Sequence, residues 1–320
     1  MHRLLHFFCD SASTRLDTMT SAPHVRSPAA AVTAGKEPKT GWAAILTLLG
    51  SALSSQIGAA AGSLAFPTIG PVGVVTVRQF VSATALLIIA RPPLRRFTWA
   101  QWWPTILLGV DFGVMNLSLY MAIDRIGLGL GVTLEFLGPL GVALATSRRR
   151  STAGAALLAV VGVVLLTNPK PSTDYLGIAL GLLAAACWAS YILLNREAGR
   201  RLPGVQGSAA AAAVSALLFI PIGIVTFLAH PPNAAVLGLA LTAGLLSSVV
   251  PQVADIRMLR RVPANQFGIL MSAHPVFAAA VGVLALHQIL GLDQWLGIVA
   301  IALANTWSIL AGRAAQGSVR

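Results

Sequence analysis

The sequence predicts an all-α integral membrane protein with ten transmembrane helices arranged as two inverted five-helix repeats. Three observations carry this prediction. The composition is 56% hydrophobic and 10% charged, apolar stretches of helix-spanning length follow one another, and basic residues cluster in alternate connections. A soluble protein has about 25% charged residues, and so apolar a surface would not stay in water. The net charge of +12 sits in short clusters between apolar runs, which is typical of membrane topology and not of a nucleic-acid-binding face.

The apolar stretches give the spans. A transmembrane helix needs about 20 mostly apolar residues. The connections between such stretches are short, so we expect no soluble catalytic domain. The ten predicted spans are 42–66, 70–90, 102–122, 126–146, 151–168, 175–195, 207–229, 234–259, 264–286 and 293–312.

The chain ends are polar. The N-terminal segment has no hydrophobic run long enough for a signal peptide, and we predict a disordered cytoplasmic tail. Translation is expected to begin at either Met1 or Met19. The predicted organisation is the tail 1–40, the first repeat 41–169, the second repeat 174–313 and a cytoplasmic C-terminal tail 314–320.

The basic residues predict the orientation. With both termini in the cytoplasm, eighteen Lys and Arg residues fall in cytoplasmic segments and two, Arg125 and Lys170, fall in outside loops. The remaining two, Arg78 and Arg257, lie within predicted spans. This asymmetry follows the positive-inside rule. It predicts a multi-pass protein of the cytoplasmic (inner) membrane. It also supports the assignment of the spans, because a missed or wrongly added span would place basic residues on both sides of the membrane.

An internal repeat accompanies the ten spans. Five spans per repeat is an odd number, so the second half enters the membrane in the opposite sense, and inverted repeats that meet at a central site are a transporter signature. A shift of 136 residues superimposes four identical pairs in spans four and nine: Arg125 on Arg261, Leu134 on Leu270, Pro139 on Pro275 and Ala143 on Ala279.

Polar and ionisable residues inside the spans are the candidate functional residues. A charge at the bilayer centre costs at least about 2.5–3.5 kcal/mol on insertion scales, so such groups are expected to face a shared interior or a wet cavity. The candidates for substrate or proton binding are Glu135, Asp111, His274, Asn116, Arg78, Asp255, Gln252 and Trp188, and the candidates for helix kinks are Pro139 and Pro275.

Glu135 is the strongest of these candidates. Gly131 and Gly138 are expected to leave open space on its helix face. Pro139 has no N–H, so the carbonyl of Glu135 lacks its helical partner. A carboxylate beside a free carbonyl suits a cation, an ammonium group or a proton that is taken up and released during a cycle. In the competing structural interpretation, the glycines and the proline only shape a helix crossing.

Structural alternatives stay open for the other residues. His274 is either a neutral packing residue or a proton carrier. Asp111 has a buried structural hydrogen bond as its alternative. Asp255, near the cytoplasmic mouth, continues a polar stripe with Gln252 and is either functional or a structural partner of Arg257 or of another helix. Arg78 needs an acidic or carbonyl partner, or else contacts a substrate carboxylate.

Enzyme, metal and disulfide signatures are absent from the sequence. It contains no HExxH, Walker or Gly-x-Ser-x-Gly motif, and its two cysteines, Cys9 and Cys187, allow no CxxC site. We therefore predict that the chain is not an enzyme and uses no cofactor or metal. The expected partners are a small-molecule substrate, protons and the lipid bilayer, without nucleic acid, and the expected state is a monomer or homodimer.

Three stretches resemble EamA-type drug/metabolite transporters, particularly the threonine/homoserine exporter branch. They are "MNLSLYMAIDRIGLGLGVTLEFLGPLGVALATSRR" (115–149), "LGLLAAACWASYILLNREAG" (180–199) and "RRVPANQFGILMSAHPVFAAAVGVLAL" (260–286). The resemblance covers about residues 41–312 and implies a ten-helix inverted-repeat carrier that exports amino acids or related metabolites against a proton gradient. The alternatives are an exporter of drugs or other metabolites with the same fold, and a non-transporting membrane scaffold.

The sequence departs from the family pattern at three places. His274 stands where that branch commonly has Glu before the proline of span nine, and His287-Gln288 replaces Gly-Glu after it. Asp111 occupies a position that is usually apolar. The fold prediction is unaffected, but the identity of the substrate and the coupling chemistry do not follow from the resemblance.

Overall fold

The computed structural model describes residues 42–146, 150–167, 174–258 and 270–317, and throughout these residues the regular structure is helical. The described residues belong to one compact unit, 40–320. The helices are α1 (Trp42–Ser63), α2 (Phe66–Ala90), α3 (Trp99–Ile126), α4 (Leu128–Glu135), α5 (Leu137–Thr146), α6 (Arg150–Thr167), α7 (Tyr175–Arg201), α8 (Gln206–Ala229), α9 (Ala234–Gly244), α10 (Val250–Met258), α11 (His274–Leu286) and α12 (Leu292–Gly317), and the short 3₁₀ turn Leu94–Arg96 follows α2.

The described helices overlap the predicted spans, which confirms an all-α membrane fold class, whereas the count of ten spans stays a prediction. Six helical stretches in the described residues are long and apolar enough to cross a membrane: Trp42–Ser63, Phe66–Ala90, Trp99–Ile126, Tyr175–Arg201, Gln206–Ala229 and Ala234–Ala254. Shorter apolar helices cover Leu128–Val142, Gly154–Leu165 and His274–Leu286. Large apolar side chains point outward, for example Leu228 at 81% exposure, as expected of a surface that contacts lipid.

Most helix boundaries shift by several residues from the predicted spans, and two differences change the predicted organisation. The predicted single span 126–146 is two helices, α4 and α5, separated at Phe136. The last helix continues to Gly317, so the segment 314–317 is helical and not the start of a tail. The predicted tail 1–40 lies outside the described residues, as do Arg148, Arg149, Lys170, Arg260 and Arg261.

The helix breaks occupy matching positions in the two halves. The first break lies at Phe136, and a turn at Ser272 and Ala273 precedes α11. Phe136 and Ser272 are 136 residues apart, the same shift that superimposes Pro139 on Pro275. Each break comes shortly before a proline, which cannot donate a helical hydrogen bond.

A π-helical turn interrupts the eighth predicted span. It covers Leu245–Val249 between α9 and α10 and contains the buried residues Ser247 and Ser248. Single π-turns inside α-helices are rare and occur frequently at functional sites, because the extra residue redirects the side chains of that turn.

Helix packing surrounds a centre to which both halves contribute. Helix α3 packs on α7, α2 on α8, α6 on α12, and α4 on α11. Helix α1 packs on α9, the π-turn and α10, and the π-turn also packs on α2. The main buried apolar cluster draws residues from α1, α2, α3, α4, α7, α8, α9 and α11, so it joins the two halves.

Helices α3 and α7 are tied together at both ends. At one end, Arg125 forms an ion pair of 3.0 Å with Asp174, whose carboxylate also caps α7 by accepting a hydrogen bond from the Gly177 N–H. At the other end, Arg201 donates to the Ala100 carbonyl at 2.7 Å and lies over the ring of Trp103. This pair of helices therefore forms a firmly connected part of the wall around the centre.

Candidate functional site

Glu135 lies at the helix break in the centre of the molecule. It is the last residue of α4, its exposure is 7%, and Pro139 in α5 cannot donate to its carbonyl. Within the described residues, ion pairs join Arg125 to Asp174 and Glu197 to Arg200 and Arg201, and none involves Glu135. A buried carboxylate without a fixed ion pair is costly for stability, so its presence favours a functional role.

Arg78 is the cation that faces this carboxylate. Its guanidinium acts electrostatically on Glu135, although no N–O distance between them is within the 4.0 Å of an ion pair. Arg78 donates from Nε to Ser248 Oγ at 2.9 Å and from Nη2 to the Ser247 carbonyl at 3.3 Å. Its Cζ lies 5.0 Å from the centroid of the Tyr120 ring. Arg78 therefore has the carbonyl partner that the sequence required, provided by the π-turn.

His274 joins the site from α11 in the other half of the chain. Its Nδ1 lies 3.0 Å from Gln56 Nε2, so the amide of Gln56 in α1 is its hydrogen-bond partner. Its ring stacks on Phe136, with ring centroids 5.3 Å apart. Phe136 in turn meets Trp188 edge to face at 4.6 Å. Trp188, Phe136 and His274 thus form a row of rings beside Glu135, contributed by α7, the break after α4, and α11.

Asp111 in α3 and Glu135 both act on one thiol, that of Cys187 in α7. The charges of the two carboxylates act electrostatically on this thiol. Oδ2 of Asp111 is buried and has no hydrogen-bond partner in the described part of the chain. A buried oxygen without a partner is unusual, so the structural and the functional interpretation of Asp111 both stay predictions.

Two further candidates, Asn116 and Gln252, are not brought into this cluster. Asn116 donates to the Phe112 carbonyl of its own helix, which is a local structural bond. Gln252 donates to Ser82 Oγ at 3.4 Å, and it lines a small separate cavity together with Leu86, Leu108, Phe112, Tyr191, Ser208, Ala211 and Ala212. Asp255 has a side chain that lies outside the described residues.

The glycines beside Glu135 do not leave open space, and this part of the interpretation was wrong. A Cβ at Gly131 would lie 3.2 Å from the Ile123 side chain. A Cβ at Gly138 would overlap with the Ala185 carbonyl oxygen and lie 3.1 Å from Trp188 Cβ. These glycines let helices approach closely, as small residues do in membrane interfaces.

Gln288, one of the departures from the family pattern, caps the N-terminus of α4. Its Oε1 accepts from the Leu128 N–H at 3.1 Å, so it caps the first turn of the helix that ends in Glu135. Gly127 precedes that turn with φ of +86°, and a Cβ there would lie 3.0 Å from the Gln288 amide. The amide of Gln288 thus satisfies a backbone donor that would otherwise be exposed inside the membrane.

Sequence reasoning missed four residues of this site: Gln56, Tyr120, Ser247 and Phe136. Gln56 is 3% exposed in the middle of an apolar helix, and that isolated amide was a usable signal. Ser247 and Phe136 carried no such signal, because their roles depend on a π-turn and on a stacking partner far away in the chain. Tyr120 is fully buried and its hydroxyl has no hydrogen-bond partner in the described residues.

Comparison with known proteins gives consistent results. Residues 175–310 match the EamA-like transporter family. The threonine/homoserine exporter RhtA of Escherichia coli (strain K12) is 36% identical over 275 residues, which cover 85% of this chain and 93% of RhtA. RhtA of Salmonella typhimurium (strain LT2) is 36% identical over 272 residues, which cover 84% and 92% of the two chains.

Two more distant proteins are also similar, one in sequence and one in fold. The transporter YwfM of Bacillus subtilis (strain 168) is 26% identical over 235 residues, which cover 69% of this chain and 78% of YwfM. A crystal structure with 18% identity superimposes with a TM-score of 0.56 and covers 84% of this chain and 99% of its own.

Proposed function

The chain belongs to the EamA-like transporter family, and from this premise we propose that it exports small amino acids of the threonine and homoserine kind across the cytoplasmic membrane. The observation that carries this proposal is the 36% identity to threonine/homoserine exporters over nearly the whole of both chains. These relatives are transporters, which confirms the prediction that the chain is a multi-pass membrane transporter and not an enzyme.

Ten spans in two inverted repeats, 41–169 and 174–313, are part of the proposal. The packing supports it, because the helix pairs are symmetric under exchange of the halves. Helix α3 packs on α7, and its counterpart, the stretch from α9 to α10, packs on α1. Three further packed pairs are their own counterparts when the two halves are exchanged: α2 with α8, α4 with α11, and α6 with α12. Both termini are placed in the cytoplasm by the distribution of basic residues.

Glu135 is proposed as the site that binds the coupling proton and the substrate ammonium in turn. Its burial and its lack of an ion pair among the described residues support this role. A permanent salt bridge would fix its charge and prevent exchange. Alternating access needs one site that both conformations can reach, and Glu135 lies at a helix break where α4, α7 and α11 meet.

Transport by purified protein tests this function. Proteoliposomes loaded with radiolabelled threonine or homoserine should release the amino acid faster than protein-free liposomes. An inwardly directed proton gradient should accelerate the release. Release that does not respond to the proton gradient would reject proton coupling but not amino-acid export. Absence of release for all amino acids would reject amino-acid export, and absence for a broad metabolite panel would favour a scaffold.

A further inference from the structure

Arg78 is held in a way that keeps part of its guanidinium free. A guanidinium has five N–H donors in one plane. Ser248 Oγ and the Ser247 carbonyl accept two of them, and Cζ of Arg78 lies over the ring of Tyr120, 5.0 Å from its centroid. Among the described residues, three N–H donors of Arg78 therefore have no protein acceptor.

The neighbourhood of Arg78 also contains an unused hydroxyl. Tyr120 is fully buried, yet its hydroxyl has no hydrogen-bond partner in the described residues. A buried hydroxyl without a partner costs about 1–3 kcal/mol. Its ring lies in contact range of Arg78, so both groups belong to the same small region between α2, α3 and the π-turn. Two independent observations thus indicate an acceptor that arrives from outside the protein.

Glu135 is the acidic group that interacts with Arg78. The charges of the two groups interact, but their charged atoms are separated by more than the 4.0 Å of a direct ion pair. Without a direct ion pair the two charges gain little from each other, and the buried Glu135 keeps its desolvation cost. An α-amino acid carries both complementary charges on one carbon. Its head group can form one hydrogen bond of about 2.9 Å at each end. It can therefore bridge a cation and an anion that are too far apart for a direct ion pair.

We infer that Arg78, positioned by Ser247 and Ser248, binds the carboxylate of the transported amino acid while Glu135 binds its ammonium group. This inference rests on the proposed export of amino acids and adds the residue that selects for zwitterions. In this conformation Glu135 is 7% exposed and Arg78 is partly exposed. Ser247 and Ser248 lie on the π-turn between α9 and α10, so a rearrangement of that turn would release Arg78 from its present position.

Competition in the wild-type protein is the first test, because it needs no variant. Radiolabelled threonine counterflow is measured in proteoliposomes with three competitors. Unlabelled threonine carries both charges, 1-amino-2-propanol lacks the carboxylate, and 3-hydroxybutyrate lacks the ammonium group. Each single-charge analogue should inhibit at least about tenfold more weakly than threonine, because it leaves a buried charge unpaired. Equal inhibition by threonine and 1-amino-2-propanol would overturn the inference, although amino-acid export itself would stand.

Variants of Arg78 give the second test. Arg78→Gln should raise the KM for threonine at least about tenfold and reduce the preference for threonine over 1-amino-2-propanol. Arg78→Lys should restore the KM only in part, since an ammonium group lacks the planar fork. Arg95→Gln, at an exposed arginine in the 3₁₀ turn that follows α2, is the matched control and should leave both quantities unchanged.

The preference for threonine over 1-amino-2-propanol, expressed as a preference ratio, distinguishes a role of Arg78 in substrate recognition from a role in folding. A purely structural role of Arg78 would lower the amount of active carrier and leave the KM and the preference ratio as in the wild type, and that result would overturn the inference. If Arg78→Gln fails to insert, the competition series in the wild type decides. A wild-type protein that moves no threonine or other amino acid would instead reject the proposed function.

Discussion

A single methyl group added at Gly138 tests how closely α5 packs on α7. The new Cβ would overlap with the Ala185 carbonyl oxygen and lie 3.1 Å from both the Ala185 carbonyl carbon and Trp188 Cβ. A backbone carbonyl cannot rotate away as the end of a side chain can, so α5 has to move. Overpacking of this kind costs about 1–3 kcal/mol, and we expect Gly138→Ala to lie near the upper end of that range.

Gly141, one turn further along α5, provides the matched control. A Cβ at Gly141 would have no neighbour within 4 Å. Glycine in a helix costs about 0.5–1 kcal/mol relative to alanine, so Gly141→Ala should be neutral or stabilising. The apparent Tm of the purified protein in detergent, followed by size-exclusion chromatography of heated samples, should separate the two variants by several degrees. Equal Tm values would refute the close packing of α5 on α7.

Three further predictions concern topology, acid stability and the histidine in α11. In a chain without its native cysteines, a cysteine at Lys170 should react with an impermeant thiol reagent added outside, whereas one at Arg200 should be protected; labelling at Arg200 would overturn the proposed orientation. The pKa of Asp174 is held below its ordinary value of 3.8, chiefly by the Gly177 N–H, so the stabilisation is present above that value and is lost as the pH falls through the lowered pKa. The apparent Tm of the wild type should therefore drop more steeply than that of Asp174→Asn as the pH falls below about 4, and parallel curves would contradict this. Gln56→Leu leaves the partly exposed His274 without its hydrogen-bond partner and should lower the apparent Tm by an amount equivalent to about 0.5–1.5 kcal/mol, while an unchanged Tm would show that this bond contributes nothing.

The fold was predictable because the membrane imposes simple rules on sequence. Backbone groups must be satisfied within each span, so apolar length gives the helices, and basic residues give an orientation. The prolines at 139 and 275 also marked the neighbourhood of both helix breaks. The break at Phe136 itself was missed, since an apolar run through a proline reads as one span.

The charged residues of the candidate site could be predicted from the sequence, but the groups that they contact could not. Intramembrane Glu135 and Arg78 stood out because a charge in the bilayer is expensive. Which groups they face depends on contacts between distant parts of the chain, such as that between Arg78 and Ser248, 170 residues apart. The glycines show the same limit: Gly138 looked like open space in the sequence, and only its contact with α7 shows that it serves close packing.

Proton movement that accompanies threonine export is the most direct test of the role of Glu135. Wild-type protein and Glu135→Gln, which keeps the size of the side chain but cannot titrate, are reconstituted with a pH-sensitive dye inside the liposomes. An outward threonine gradient should drive inward proton movement through the wild type. We expect Glu135→Gln to insert normally, to keep part of the threonine exchange and to move no protons between about pH 5.5 and 8. Wild-type proton movement by Glu135→Gln would contradict the account and direct attention to Asp111 and His274.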